Sequence, residues 1–201
     1  MWTDQKFFVL QKLLADKEGG ELLDFGSRDQ ILKKFIPKQI KYTGVDISQN
    51  NDETNIVMDL NQKIKFDNNS FDFVVALDVV EHLDDPKIFI NECLRISKDK
   101  VYIVLPNIAY FEFRLMLLFS GSLGSKYHFS GKKIDDKHQW FTNYYLVNQF
   151  FNKNHSNFQI TKIIKTRNKL KFLYFFEKIL SKFLPNIFSW SFLITINKIN
   201  D

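Results

Sequence analysis

Aspartates recur at the ends of short apolar runs through the first half of this 201-residue chain. Asp24 stands in ELLDFGS, Asp46 in YTGVDIS, Asp59 in IVMDL and Asp78 in FVVALDVVEH. Carboxylates placed this way repel phosphate and favour hydroxyls, amines and cations. An acid like Asp46 can accept both hydroxyls of a ribose. Asp59 can accept from an adenine amino group. Gly26 lets the backbone come close to a ligand, and the next helix starts there. Together these residues outline a pocket for an adenosine that carries no phosphates. Taken singly, each acid could instead be a helix N-cap.

Such a pocket needs strands that end at these acids. The patterning predicts strands over 21–25, 41–47, 54–60, 71–77 and 101–105, with 71–77 apolar on both faces as in a parallel sheet. Helices are expected over 3–17, 29–36 and 85–96, with Gly19 and Gly20 ending the first and Pro37 the second. Asp84 and Asp85 read as N-caps of the third helix, on whose apolar face Cys93 is a core residue. Strand and helix thus alternate, which implies an open parallel sheet with helices on both faces and ligands at its carboxyl edge. After Pro106 a helix is expected over 110–119, a Gly/Ser-rich loop over 120–131 and a helix over 142–151 capped by Thr142. Strands follow over 158–165 and 191–198. Tyr127, His128, His138, Trp140 and Tyr144 fall where they would cap an acceptor pocket or serve as ordinary packing.

Hydrophobic residues make up 45% of the chain, enough for a core and against disorder. Cys93 is the one cysteine, which excludes a disulfide scaffold and a multi-cysteine zinc site, and no metal is expected. No leader-like or membrane-spanning run is evident, so a cytoplasmic protein is expected. Of the net charge of +5, residues 153–201 hold nine Lys/Arg against two acids, which is +7 and leaves −2 for residues 1–152. This asymmetry suits an anionic partner or a solvated face. Residues 169–192 combine Lys169, Lys171, Lys178 and Lys182 with many Phe, Leu and Ile. That pattern fits a helix packed on the sheet or a peripheral contact at the inner membrane face. Nucleic acid is disfavoured as a substrate, since Leu105-Pro106-Asn107 is not an Asn/Asp-Pro-Pro-Tyr motif. The absence of a Gly-rich pyrophosphate turn disfavours a nicotinamide dehydrogenase.

The stretches LLDFGSRDQIL (22–32), YTGVDIS (42–48), VMDL (57–60) and FDFVVALDVVEHLDDP (71–86) resemble class I S-adenosylmethionine-dependent methyltransferases of the type 11 and MetW-like branches. VLPN (104–107), followed by an aromatic helix with Arg114 and a Gly/Ser loop, carries the MetW-like part. The resemblance implies a three-layer α/β Rossmann-like fold, with a mostly parallel seven-stranded sheet whose last strand is antiparallel. It implies one methyltransferase domain over 1–201: an N-terminal helix (1–20), a cofactor-binding half (21–107) and an acceptor-side half (108–201). The cofactor would be S-adenosyl-L-methionine. Asp24 and Gly26 would lie against its methionine part, Asp46 at the ribose, Asp59 and Leu60 on the adenine side, and Asp78 and Val79 would flank cofactor and acceptor; Ser27 and Ile47 would be further cofactor-binding residues. His82 would be the base for a hydroxyl acceptor, or else a helix cap or pocket wall. The acceptor would be a small molecule or a lipid- or glycan-linked group. The first motif departs from the usual D-x-G-x-G-x-G, since Arg28 and Gln30 replace the later glycines. The other reading is therefore an interaction protein that keeps the fold without catalysis.

Overall fold

The computed structural model describes residues 4–49, 55–127, 137–165 and 171–198. Leu22, Leu23 and Phe25 have no solvent exposure, and their strand β1 (Gly20–Phe25) lies inside the sheet between two parallel neighbours. These are β2 (Ile40–Asp46) and β4 (Phe71–Leu77). Beyond β2 lies the short edge strand β3 (Asn55–Val57), with Asp46 opposite Val57. Beyond β4 lies β5 (Ser97–Pro106), followed by two strands from the end of the chain, β6 (Phe158–Ile163) and β7 (Ser191–Asn197). The order is β3-β2-β1-β4-β5-β7-β6, and β7 runs antiparallel to both neighbours.

Helices cover both faces, as the apolar-on-both-sides strands require. On one face α1 (Asp4–Leu14) buries Phe7, Leu10 and Leu14 against Leu22, Tyr42, Phe73 and Tyr102. On the other, α2 (Pro86–Ile96) buries Phe89, Ile90, Cys93 and Ile96, and α4 (Tyr144–Asn154) buries Val147 and Phe151. Between β5 and α4 comes α3 (Phe111–Ser120); α5 (Lys171–Phe183) and α6 (Pro185–Phe188) precede β7. Pro106 pairs with Ser191, so α3 and α6 meet at the carboxyl edge of β5. Asn107, fully buried, ties them by donating to the carbonyls of Asn186 (3.1 Å) and Ser189 (2.6 Å).

Three local expectations change. No α-helix forms over 29–36; a 3-10 turn covers Ile31–Lys34 alone, because Arg28 (φ 43°) and Gln30 (φ 51°) are left-handed and Pro37 follows closely. The strand expected over 54–60 pairs only at 55–57 among the described residues. The N-cap of α4 is Asn143, which accepts from Leu146 N at 3.0 Å, whereas Thr142 donates to the carbonyl of Pro106 at 2.7 Å. Asp85 does cap α2, accepting from Ile88 N at 2.9 Å. Residue 128 and the rest of 128–136, together with 166–170 of the basic stretch, lie outside the described residues.

Gly26 (φ 74°) lies so close to the end of β4 that an added Cβ would stand 2.2 Å from Cγ2 of Val79. Gly26→Ala is expected to lower stability by about 2 kcal/mol or more in urea unfolding, from left-handed strain plus overlap. In the Val79→Ala background the overlap part disappears, so a double-mutant cycle should give a coupling of about 1 kcal/mol or more. Strict additivity would show that residues 26 and 79 do not press on each other.

Candidate active site

The turn after β1 is built on the end of β2. The carbonyl of Val45 accepts from Gly26 N (2.7 Å) and Ser27 N (3.0 Å), and that of Ser27 accepts from Gln30 N (2.7 Å). Asp46 Oδ2 accepts from Arg28 N at 2.9 Å. Asp46 Oδ1 accepts from both the backbone N (3.0 Å) and the hydroxyl (2.8 Å) of Ser48. Ser27 Oγ donates to Asn55 Oδ1 at 2.9 Å, which joins the turn to β3. Arg28 and Gln30 therefore take the left-handed backbone that glycines would otherwise supply, and the turn closes without them.

Each residue expected at the site can now be placed. Gly26, Ser27 and Asp46 come together in this turn, and the Asp46 carboxylate is buried. Ile47 projects next to it with 71% exposure, an apolar side chain uncovered at the carboxyl edge. Asp24 is buried within β1 and accepts a hydrogen bond from the Tyr42 hydroxyl at 2.6 Å. Val79 closes over Gly26. Asp78, itself left-handed (φ 56°), is ion-paired with Lys6 from α1. Asp59 and Leu60 are half-buried after β3, and the Asp59 carboxylate accepts from Asn61 N (2.9 Å). His82 lies beyond Asp78, on a 3-10 turn over Val80–His82.

Burial dominates the electrostatics. It pushes the Asp24 carboxyl up to about 7; the Tyr42 hydrogen bond and Lys6 oppose this, and Asp46 adds to it. Burial, then the Asp78 charge, pushes Glu81 up to about 8. Burial thus favours the neutral acid at Asp24 and Glu81, and Lys6 is a cation facing the edge at Asp78. Sequence reasoning did not single out Lys6 or Tyr42; each meets its partner across many residues, and no local pattern marks the pairing.

A strap of residues 137–140 lies along residues 81–84. The Glu81 carbonyl accepts from Gln139 N at 2.8 Å, and Trp140 Nε1 donates to the carbonyl of Leu83 at 2.7 Å. Gln139 Nε2 donates to the carbonyl of His82 and to Asp84 Oδ1, both at 2.8 Å. The strap brings His138 against His82, with ring centroids 4.6 Å apart and ring planes perpendicular. Of the aromatic group expected to cap an acceptor, Tyr127, His138 and Trp140 gather here, whereas Tyr144 packs on Phe192 in the sheet.

The donor set fits an adenosyl cofactor. Asp46 accepts three hydrogen bonds among the described residues, which leaves a lone pair on Oδ2 for a ribose hydroxyl. The exposed Ser48 hydroxyl can turn away to free another. Uncovered Ile47 offers a base an apolar surface.

The family model described as "Methyltransferase domain" matches residues 6–163. No curated protein sequence matches the chain. Among solved structures, it superposes on a chain of the complex between the Haloferax volcanii Trm112 methyltransferase activator and a candidate methyltransferase. The TM-score is 0.64 at 16% identity, covering 98% of this chain and 92% of that one. A candidate methyltransferase of Bacillus halodurans gives 0.58 at 13% identity, covering 96% of this chain and 99% of that one. A SAM-dependent methyltransferase of Thermotoga maritima gives 0.59 at 14% identity, covering 96% and 94%. At these identities the likeness is one of fold.

Because Asp24 holds its proton more tightly folded than unfolded, it stabilises the fold at low pH. That contribution declines as pH rises from the ordinary 3.8 through about 7. Asp24→Asn, which still accepts from Tyr42, is expected to flatten this slope. Wild type should lose more melting temperature than the variant as pH rises through neutrality, from about 5 to about 8. Parallel pH profiles would refute the raised carboxyl.

Proposed function

The chain belongs to the methyltransferase-domain family and is an S-adenosylmethionine-dependent methyltransferase; we propose that its acceptor is a lipid-linked small molecule, met at a membrane surface. The cofactor supplies a methyl group already activated on a sulfonium, so the protein's task is alignment and exclusion of water. Asp46 holds the ribose, Ile47 and Leu60 flank the base, and Asp59 accepts from the adenine amino group. Gly26 and Ser27 give the methionine part a close backbone, and Lys6 is placed to meet its carboxylate. Asp78 and Val79 stand between cofactor and acceptor. The carboxylates Asp46 and Asp78 favour a cationic sulfonium over a phosphate. On His82, Nδ1 lies 3.0 Å from the Lys137 carbonyl, which can only accept. Nδ1 therefore carries the proton, and the Nε2 lone pair can take a proton from an acceptor hydroxyl or bind a cation.

The observation that carries the acceptor class is an apolar rim. On α3, Leu115, Leu117, Leu118 and Phe119 are exposed, Phe119 at 82%. On α5, Phe175, Phe176, Ile179 and Phe183 are exposed, Phe183 at 77%, with Lys178 and Lys182 exposed among them. Tyr110, at the start of α3, donates to Glu177 of α5 at 3.2 Å, so the two helices are anchored to each other. Both flank the carboxyl edge where the acceptor must enter. Aromatic and aliphatic side chains interleaved with lysine suit the interface of an anionic bilayer. Among the described residues no helix is long and apolar enough to cross a membrane, so the contact would be peripheral.

In calorimetry, Asp46→Ala is expected to weaken S-adenosylmethionine binding by about tenfold to a hundredfold, the value of charged hydrogen bonds to the ribose. Unchanged affinity would remove Asp46 from the site. For the acceptor, the protein should sediment with vesicles rich in phosphatidylserine and much less with phosphatidylcholine, and added salt should release it. Phe119→Asp with Phe183→Asp should abolish sedimentation while leaving cofactor affinity intact. Equal sedimentation of wild type and double variant would overturn the membrane reading.

A further inference from the structure

Lys6 of α1 and Asp78 after β4 form an ion pair across 72 positions of sequence. Both ends are held from behind. Asp78 N donates to the carbonyl of Val104 at 3.0 Å, and its neighbour Val79 closes over Gly26. The left-handed backbone at Asp78 is a strain that persists only where such surroundings impose it. Lys6 is followed on α1 by Phe7, which is sunk in the apolar layer. Among the described residues neither charge has a second ion-pair partner.

Such a pair contributes little to stability, since the Asp78 side chain is 38% exposed and water screens it. The same exposure leaves the aspartate open to a ligand, whereas Lys6, at 14%, is the more enclosed partner. Asp78 is also one residue from the contact of Val79 with Gly26, at the proposed subsite for the methionine part. That part of S-adenosylmethionine carries a carboxylate, an ammonium and the sulfonium. S-adenosylhomocysteine lacks only the sulfonium charge, and methylthioadenosine lacks all three.

We infer that Lys6 and Asp78 are a charge-exchange pair that distinguishes S-adenosylmethionine from its demethylated product. Without ligand, Lys6 neutralises Asp78. With S-adenosylmethionine bound, Lys6 turns to the ligand's carboxylate, and the Asp78 charge it releases is set against the sulfonium. Methyl transfer breaks the sulfur–carbon bond and forms a new bond from the acceptor's lone pair to the methyl carbon. The electron pair of the broken bond stays on sulfur, which becomes neutral, and any proton of the acceptor leaves to a base. Asp78 then has no cation to face except Lys6, and drawing it back loosens the product. The exchange rests on the cofactor site proposed around Asp46.

The test is calorimetric titration of the full chain with each of the three ligands. Asp78→Asn keeps the backbone, because asparagine tolerates the left-handed region. It should abolish the preference for S-adenosylmethionine over S-adenosylhomocysteine. It should also tighten S-adenosylhomocysteine by about threefold, since Lys6 no longer has to leave a partner. Lys6→Met keeps the apolar stem and should retain the preference, because Asp78 still faces the sulfonium. In the Lys6→Met background, Asp78→Asn should no longer tighten S-adenosylhomocysteine. Methylthioadenosine should bind all variants alike, and a shift as large as that of S-adenosylhomocysteine would mark a change of pocket shape and overturn the exchange. Weaker binding of both charged ligands to Asp78→Asn would place Asp78 at the ammonium they share, and it too overturns the exchange. So does tightening that persists without Lys6. Asp46→Ala in parallel separates the two readings. Loss of all three ligands there, with no effect of Asp78→Asn, overturns the exchange alone. An Asp78→Asn effect of the expected sign supports the exchange even if Asp46→Ala changes nothing. Wild type that binds none of the three overturns both.

Discussion

Everything at the carboxyl edge depends on how the chain leaves β1. Three residues of five, Gly26, Arg28 and Gln30, take positive φ there, and two of them have a Cβ. Left-handed backbone costs such residues roughly 1–2 kcal/mol each, so it persists only where the surroundings over-determine it. The end of β2 supplies that determination. Val45 offers one carbonyl to two successive amides, and Asp46 offers a carboxylate oxygen to a third. The same carboxylate is the one we propose to hold a ribose, which would make one side chain specify both the turn's shape and its ligand. A sequence that loses the usual glycines can keep the turn as long as it keeps that acid.

The electrostatics follow from the same crowding. β1, β2 and β4 bring Asp24, Asp46 and Asp78 to one region, and α1 answers with Lys6. The N-terminal helix is thus more than a cover for the second face of the sheet. It seats Phe7, Leu10 and Leu14 in the apolar layer, and its ammonium reaches over the edge. Removing the helix would expose apolar surface and leave Asp78 without its cation.

The sheet was legible because buried parallel strands are written as unbroken apolar runs: 22–25, 71–77 and 101–105 need no tertiary information to be recognised. Asp78 was legible in the same way, since it follows 71–77 directly, whereas Asp24 lies inside its run. The failures lie where distant groups decide. Residues 29–36 carry a helical pattern, but positive φ at 28 and 30 and a proline at 37 leave room for one tight turn. Thr142 is an ordinary N-cap residue, yet its hydroxyl is taken by Pro106 and the cap passes to Asn143. The convergence of Glu81 and His82 with His138 depends on a strap held by backbone hydrogen bonds, and no spacing rule connects positions so far apart.

That strap also bears on how the protein could diversify. Tyr127 and His138 are joined at 2.6 Å, and residues 137–140 are fastened to 81–84. Tyr127 and Lys137 are therefore both held in place, Tyr127 by His138 and Lys137 by His82. Closing a longer excursion between fixed ends costs only about 0.6 kcal/mol per doubling of length. Insertions between 127 and 137 would therefore leave the sheet, the turn after β1 and the two imidazoles in place. Length between those two positions is thus the cheapest feature for this chain to change.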